Sequence, residues 1–337
     1  MALAIQYQLE TSQWWSPEQL AAQQYKQLTR LIHHASKHSA FYRKRFQDSG
    51  INKHTRITAE SIAKIPILKR ETLQQVGKTI HSHQLPNGHG NRHLIQTSGS
   101  TGRPISVYGS DLTRFFWQAF TLRDHHWHQR DFSGKLAAIR WAKKDQAMPP
   151  KGLLRKGWGA STEHSFITGP SMMLNSASDI SDQLTWLKKN DPHYLVSHPS
   201  NLVALASYAI SQGVELKNLR GITTVGEVVT NKVRQACLDA WGITVADFYT
   251  CQEAGYLAIQ CPENQHYHVQ SENVFLEVIN DSGQPCKPGE VGRVLITSLN
   301  NFATPLIRYE LGDYAEVGSL CTCGRGLPVL NKVMRSI

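Results

Sequence analysis

Six cysteines in 337 residues are too few to staple a chain of this length, so a disulfide scaffold is excluded and reduced thiols are expected. No stretch approaches the roughly 20 apolar residues of a membrane-spanning helix. The opening Met1-Ala-Leu-Ala-Ile-Gln-Tyr-Gln-Leu-Glu10 lacks the basic start and sustained apolar run of an export signal, which argues for a cytoplasmic protein without a membrane partner. Internal repeats and low-complexity tracts are absent. Acidic residues are scarce beside basic ones, 26 against 36, giving a formal charge of +10 with 16 histidines besides. That balance favours anionic partners: nucleotides, coenzyme A, an acidic carrier protein or nucleic acid.

What is present reads as a large enclosed core of two or three subdomains. Ser16-Pro17-Glu18-Gln19 opens a helix with a serine cap and proline in the first turn, and Leu20, Tyr25, Leu28 and Leu31 recur at helical spacing. His33, His34 and His38 follow on the same pattern and, beside Lys37, Arg43, Lys44 and Arg45, read as a solvated basic face. Residues 93–108 read as strand, loop, strand, and the stretch between Asp111 and His128 as a buried helix. Leu136 to Trp141 reads as a core strand. From Ile180 the chain alternates helix and strand through Tyr194-Leu-Val-Ser197, Gly221-Ile-Thr-Thr-Val225 and Val245-Ala-Asp-Phe-Tyr249. This βαβ rhythm predicts a helix-covered sheet with ligands at the carboxyl ends of its strands, near His198-Pro-Ser200, Gly226-Glu227 and Tyr249-Thr-Cys-Gln-Glu253. After about residue 265, short β runs predict a small barrel or curled antiparallel sheet.

Gln96-Thr-Ser-Gly-Ser-Thr-Gly-Arg-Pro104 reads as a phosphate-gripping loop: its glycines let an oxyanion approach the backbone, and its hydroxyls add donors. Taken in order with Gly226-Glu227, Tyr249-Thr-Cys-Gln-Glu253 and Tyr309-Glu-Leu-Gly-Asp313, it resembles the acyl-adenylating superfamily of acyl-CoA synthetases, peptide-synthetase adenylation domains and luciferases. Within that superfamily the chain resembles the phenylacetate-CoA ligase group. Trp14-Trp-Ser-Pro-Glu-Gln-Leu20, His38-Ser-Ala-Phe-Tyr-Arg-Lys-Arg-Phe46, Pro305-Leu-Ile-Arg-Tyr309 and Cys321-Thr-Cys-Gly-Arg-Gly-Leu-Pro328 share in the likeness. The resemblance implies an α/β fold: an adenylate-forming N-terminal core with helix-covered mixed sheets plus a small β-barrel-like subdomain. Its divisions are a helical segment at 1–90, adenylation subdomains at 91–264, a β subdomain at 265–333 and a hinge stub at 334–337.

The activity implied is ATP-dependent activation of a carboxylic acid, favouring an aromatic one, to an acyl adenylate, followed by thioester formation with coenzyme A. Transfer to a carrier protein or an amine is the alternative. Carried over by residue, Thr97, Ser98, Gly99, Ser100, Thr101, Gly102 and Arg103 would hold the β and γ phosphates. Gly226, Glu227 and Tyr249 would border the adenine, Asp313 would accept from the ribose hydroxyls, and Arg335 would lie at the hinge beside the nucleotide. Glu253, which would hold Mg²⁺, and Thr250 are the catalytic candidates; Trp141, His198 and Ser200 are candidates for the acid pocket. A homodimer is compatible with the resemblance.

Three departures stand out. Arg103 replaces the lysine of many relatives, and no glycine follows Tyr249. The small mobile domain that follows the hinge in relatives, here matched by Met334-Arg335, is not among these 337 residues. The expectation is therefore ATP or acyl-AMP binding with slow turnover; full-rate thioester formation by this chain would overturn it. Cys261, Cys321 and Cys323 with His268, or with the competing His266, make a candidate structural Zn²⁺ site, since zinc accepts thiolates and imidazole in a tetrahedral shell and the resemblance implies a comparable set. A zinc-containing nucleic-acid-binding protein is the rival class. The basic residues are spread along the chain rather than gathered in a stripe, which weighs against it.

Overall fold

The computed structural model describes every residue except 53, 97–103, 164, 336 and 337, and gives Arg335 by its backbone alone. It divides into two compact units, residues 1–120 with 249–337 and residues 121–248. The phosphate-loop candidates Thr97 to Arg103 lie outside the described residues.

The first unit begins with α1 (Ala2–Ser12), α2 (Pro17–His38) and α3 (Ala40–Asp48). The expected serine cap forms a capping box: the Ser16 hydroxyl accepts from the Gln19 N–H, and the Gln19 side chain accepts from the Ser16 N–H at 2.9 Å. Such a cap stabilises a helix by about 1 kcal/mol. Short helices α4 (Ala59–Ala63) and α5 (Arg70–Val76) follow, then a 3₁₀ turn at Gly77–Ile80. Strands β1 (Arg92–Gln96) and β2 (Ser106–Ser110) pair antiparallel, from Arg92 opposite Ser110 to Gln96 opposite Ser106. They flank the phosphate-loop sequence as the strand, loop, strand pattern anticipated. Helix α6 (Asp111–Trp127) begins in this unit and continues into the second.

The second unit carries β3 (Leu136–Arg140), β4 (Leu153–Arg155), β5 (Ser171–Asn175), α7 (Ile180–Asn190), β6 (Tyr194–Ser197), α8 (Pro199–Ser211), β7 (Gly221–Thr224), α9 (Asn231–Trp241) and β8 (Val245–Ala246). Its sheet runs β4-β5-β3-β6-β7-β8, parallel throughout except for β4 on β5. The order reverses at β3: β5 lies on one side, and β6, β7 and β8 on the other. This is the topology whose strand ends open a ligand crevice. Ile139, Leu174, Leu195, Leu202, Leu205 and Ile222 fill its core, each burial stabilising by about 1.5–3 kcal/mol.

The run expected as one strand through Tyr249 is two. Asp247 is buried and accepts from the Thr224 hydroxyl, so the chain leaves the parallel sheet after β8. It enters a second sheet as β9 (Phe248–Cys251), followed by β10 (Gly255–Gln260), β11 (Tyr267–Val269), β12 (Val274–Ile279), β13 (Val291–Ser298), β14 (Tyr309–Val317) and β15 (Val329–Arg335). This sheet orders its strands β12-β13-β14-β15-β11-β10-β9 and belongs to the first unit from Tyr249 onward. It thus starts earlier than residue 265. Its inner face packs on the N-terminal helices through Leu31, Tyr42, Ile65, Leu257, Ile296 and Ile307. Among the described residues, no helix is long and apolar enough to cross a membrane.

Candidate active site and metal centre

In the first unit, Tyr249 lies on β9 and Asp313 on β14, and the Tyr249 hydroxyl donates to Asp313 Oδ2 at 2.7 Å. Asp313 is therefore an oriented strand carboxylate. Thr250 follows Tyr249 on β9 and is half-buried. Glu253 occupies the turn between β9 and β10, with only 8% of its surface exposed. Burial raises its pKa, and the Arg70 guanidinium and a hydrogen bond from the Cys251 thiol offset that in part. The same burial, with Glu253 nearby, pushes the Tyr309 phenol well up, and Arg70 partly counters it. Arg70, Cys251 and Tyr309 were not singled out from the sequence. Leu68 bridges to Tyr309 across 241 positions of chain, a closure no local pattern signals.

Glu253 and Gln252 border a cavity of about 210 Å³ that Trp117, Phe120, Tyr256, Asn273 and Asn300 also line. Gly255 beside them sits at φ +81°, a left-handed backbone that glycine adopts without strain, and it lets the turn pass close to Trp117.

The pH response follows. A carboxylate with a raised pKa takes up a proton at a higher pH than an ordinary glutamate. The empty folded state therefore gains stability below that value and loses it as the pH rises through it. A divalent cation needs the ionised form, so nucleotide-dependent Mg²⁺ stabilisation should grow as the pH rises above the ordinary glutamate range. Unfolding midpoints measured with and without Mg²⁺ across that rise check it; a flat difference would contradict a role for Glu253.

In the second unit, Trp141 follows β3, His198 and Ser200 follow β6, and Gly226 and Glu227 follow β7, all at the carboxyl edge of parallel strands. The Ser200 main-chain N–H and hydroxyl each donate to the Glu227 carboxylate at 2.9 Å, placing an anion at the start of α8. Gly226 adopts φ +84°, and a Cβ there would stand 3.0 Å from His198 Nδ1, so this close approach needs glycine. Trp141 is 71% exposed and does not serve as core. Of the nucleotide candidates, Arg335 is placed only as backbone, opposite Asp313 in the β14–β15 pairing.

A separate cluster forms where the β10–β11 turn meets the loop between β14 and β15. One donor atom each from Cys261, His268, Cys321 and Cys323 falls within 4.8 Å of the others. Cys261 Sγ is 3.9 Å from Cys321 Sγ, and Cys323 Sγ is 3.4 Å from His268 Nε2. His268 is fully buried, and its Nδ1 lies 3.4 Å from the Leu327 carbonyl. Because a carbonyl can only accept, that contact favours a protonated Nδ1 and turns the Nε2 lone pair toward the thiols. His266 is not in this group. Burial and the neighbouring thiols push the Cys321 pKa up to about 12.

No family profile matches the chain. It is 24% identical over 309 residues to a phenylacetate-coenzyme A ligase of Pseudomonas putida, spanning 90% of this chain and 67% of that protein. It is likewise 24% identical over 323 residues to a phenylacetate-coenzyme A ligase of Thermus thermophilus, spanning 91% and 68%. The fold matches that of 2-hydroxyisobutyryl-CoA ligase in complex with 2-HIB-AMP and CoA, at a TM-score of 0.70 and 19% identity over 91% of this chain and 72% of that one. The chain is thus similar in sequence to phenylacetate-coenzyme A ligases and in fold to an acyl-CoA ligase. Its mixed α/β architecture is that of its fold neighbours.

Proposed function

We propose that this protein activates a carboxylic acid with ATP. The acid's carboxylate attacks the α-phosphorus, forming the acyl adenylate and expelling pyrophosphate; the thiol of coenzyme A then attacks the acyl carbon, forming the thioester and releasing AMP. The observation that carries the proposal is the Tyr249–Asp313 hydrogen bond, which orients a carboxylate suited to a ribose diol on the strand sheet that also bears Glu253. Glu253 offers buried carboxylate oxygens of the kind a hard Mg²⁺ accepts. Bound there, the cation would neutralise phosphate charge, while the chain's own groups position the reactants. Within the second unit, Gly226 lets its backbone pass close to the His198 ring. An aryl acid is the first substrate to test, on the strength of the phenylacetate ligases above.

The chemistry of the thiol cluster suits Zn²⁺: three thiolates and one imidazole are a structural donor set, and the His268 contact with Leu327 favours the ligating tautomer. We assign this centre a structural role, tying the β10–β11 turn to the loop before β15.

Acyl-sulfamoyl adenosines, stable mimics of acyl adenylates, test the reading without requiring turnover. Thermal shift across aryl, heteroaryl and short aliphatic members should show stabilisation well beyond that of adenosine, abolished by Asp313→Ala. Equal stabilisation by adenosine and by every acyl form, or an unaffected Asp313→Ala, would contradict it.

A further inference from the structure

Another group of metal-ligating side chains stands apart from both sites. His34 and His38 are one turn apart on α2 and project from the same face, with ring centroids 4.5 Å apart. The solvated basic face expected from sequence is thus interrupted: His34 packs edge-on against Phe302, with ring centroids 5.1 Å apart. The segment after Ile80 brings His83 against His38, centroids 4.7 Å apart. His83 is tied there twice, since its main-chain N–H donates to the His38 carbonyl at 2.9 Å and its ring Nδ1 lies 2.9 Å from the same oxygen. A carbonyl only accepts, so Nδ1 carries the proton and Nε2 presents a lone pair. That lone pair faces His38 Nδ1, 3.1 Å away.

Two imidazole nitrogens on one cation at about 2.0–2.1 Å are separated by roughly 3.3 Å in a tetrahedral shell and about 2.9 Å in an octahedral one. The observed 3.1 Å lies between these limits. We propose that His38 Nδ1 and His83 Nε2 form a second metal site, chelating a borderline divalent cation of the zinc, nickel or copper class, with water completing the shell. The proton now on His38 Nδ1 moves to Nε2, a change of tautomer that leaves both rings neutral. An imidazole-only donor pair disfavours Mg²⁺ and Ca²⁺, which seek oxygen. A bound cation would clip the end of α2 to the segment that leads into β1 and the phosphate-loop sequence.

Protein purified without a histidine tag and dialysed free of added metal is titrated with Ni²⁺ by calorimetry. The wild type should bind one equivalent that His38→Ala and His83→Ala each weaken at least about tenfold. His33→Ala, which removes an exposed histidine from the same helix, should leave it unchanged. His83→Gln keeps a polar side chain of similar reach and should also lose the site. Zinc retained after that dialysis should be equal in all variants, separating this exchangeable site from the thiol cluster. Wild-type Ni²⁺ affinity in both His83 variants, or no such equivalent in the wild type, overturns the proposal.

Discussion

Replacing Glu253 by glutamine should lower acid-dependent adenylate formation by about 10²-fold or more while leaving the unfolding midpoint unchanged or higher. The two directions have one cause. The carboxylate is buried and its pKa raised, so its ionised form costs the empty protein stability, and a neutral amide of the same shape relieves that cost. The charge lost is the one proposed to hold the cation on the phosphates, and removing one preorganised electrostatic contact of this kind costs on the order of 10²–10³ in rate. Hydroxamate trapping of the adenylate measures the first effect, and calorimetry the second. If slow turnover hides the rate, the Mg²⁺ dependence of ATP binding reports the same loss. An enzyme as active and as Mg²⁺-dependent as the wild type would remove Glu253 from the proposed mechanism.

Cys321→Ala or Cys323→Ala should reduce zinc content from about one equivalent to near zero and lower thermal stability. If free zinc exceeds its dissociation constant a thousandfold, binding contributes about 4 kcal/mol, or on the order of 10 °C for a unit of this size. The loss should be large because the four donors join segments far apart in sequence: Cys261 and His268 around β10 and β11, and Cys321 and Cys323 before β15. Cys286→Ala removes a thiol outside the cluster and should keep the metal. Elemental analysis of protein prepared without chelator decides the matter: absence of zinc from the wild type, or zinc retained in both cluster variants, would end the assignment. A chelator should reproduce the variants' instability in the wild type and add little to theirs.

The sequence by itself determined what short-range chemistry can specify. The serine cap of α2, the two strands flanking the phosphate-loop sequence and the βαβ rhythm after Ile180 depend on neighbours a few positions away, and each is present where the residue pattern placed it. The order of the motifs and the carboxylate and thiol residue types were legible for the same reason. Only the tertiary structure decided which of these groups meet. The break at Asp247 follows from a partner 23 positions away, and the Tyr249–Asp313 hydrogen bond spans 64. Choosing His268 over His266 required β11 to pair with both β10 and β15, which turns one imidazole toward the thiols. Arg70 beside Glu253, and His83 beside His38, likewise come from chain closures whose driving force is burial of a shared core. Hydrophobic burial is non-directional and acts over any sequence separation, so it leaves no local pattern from which those meetings could be read.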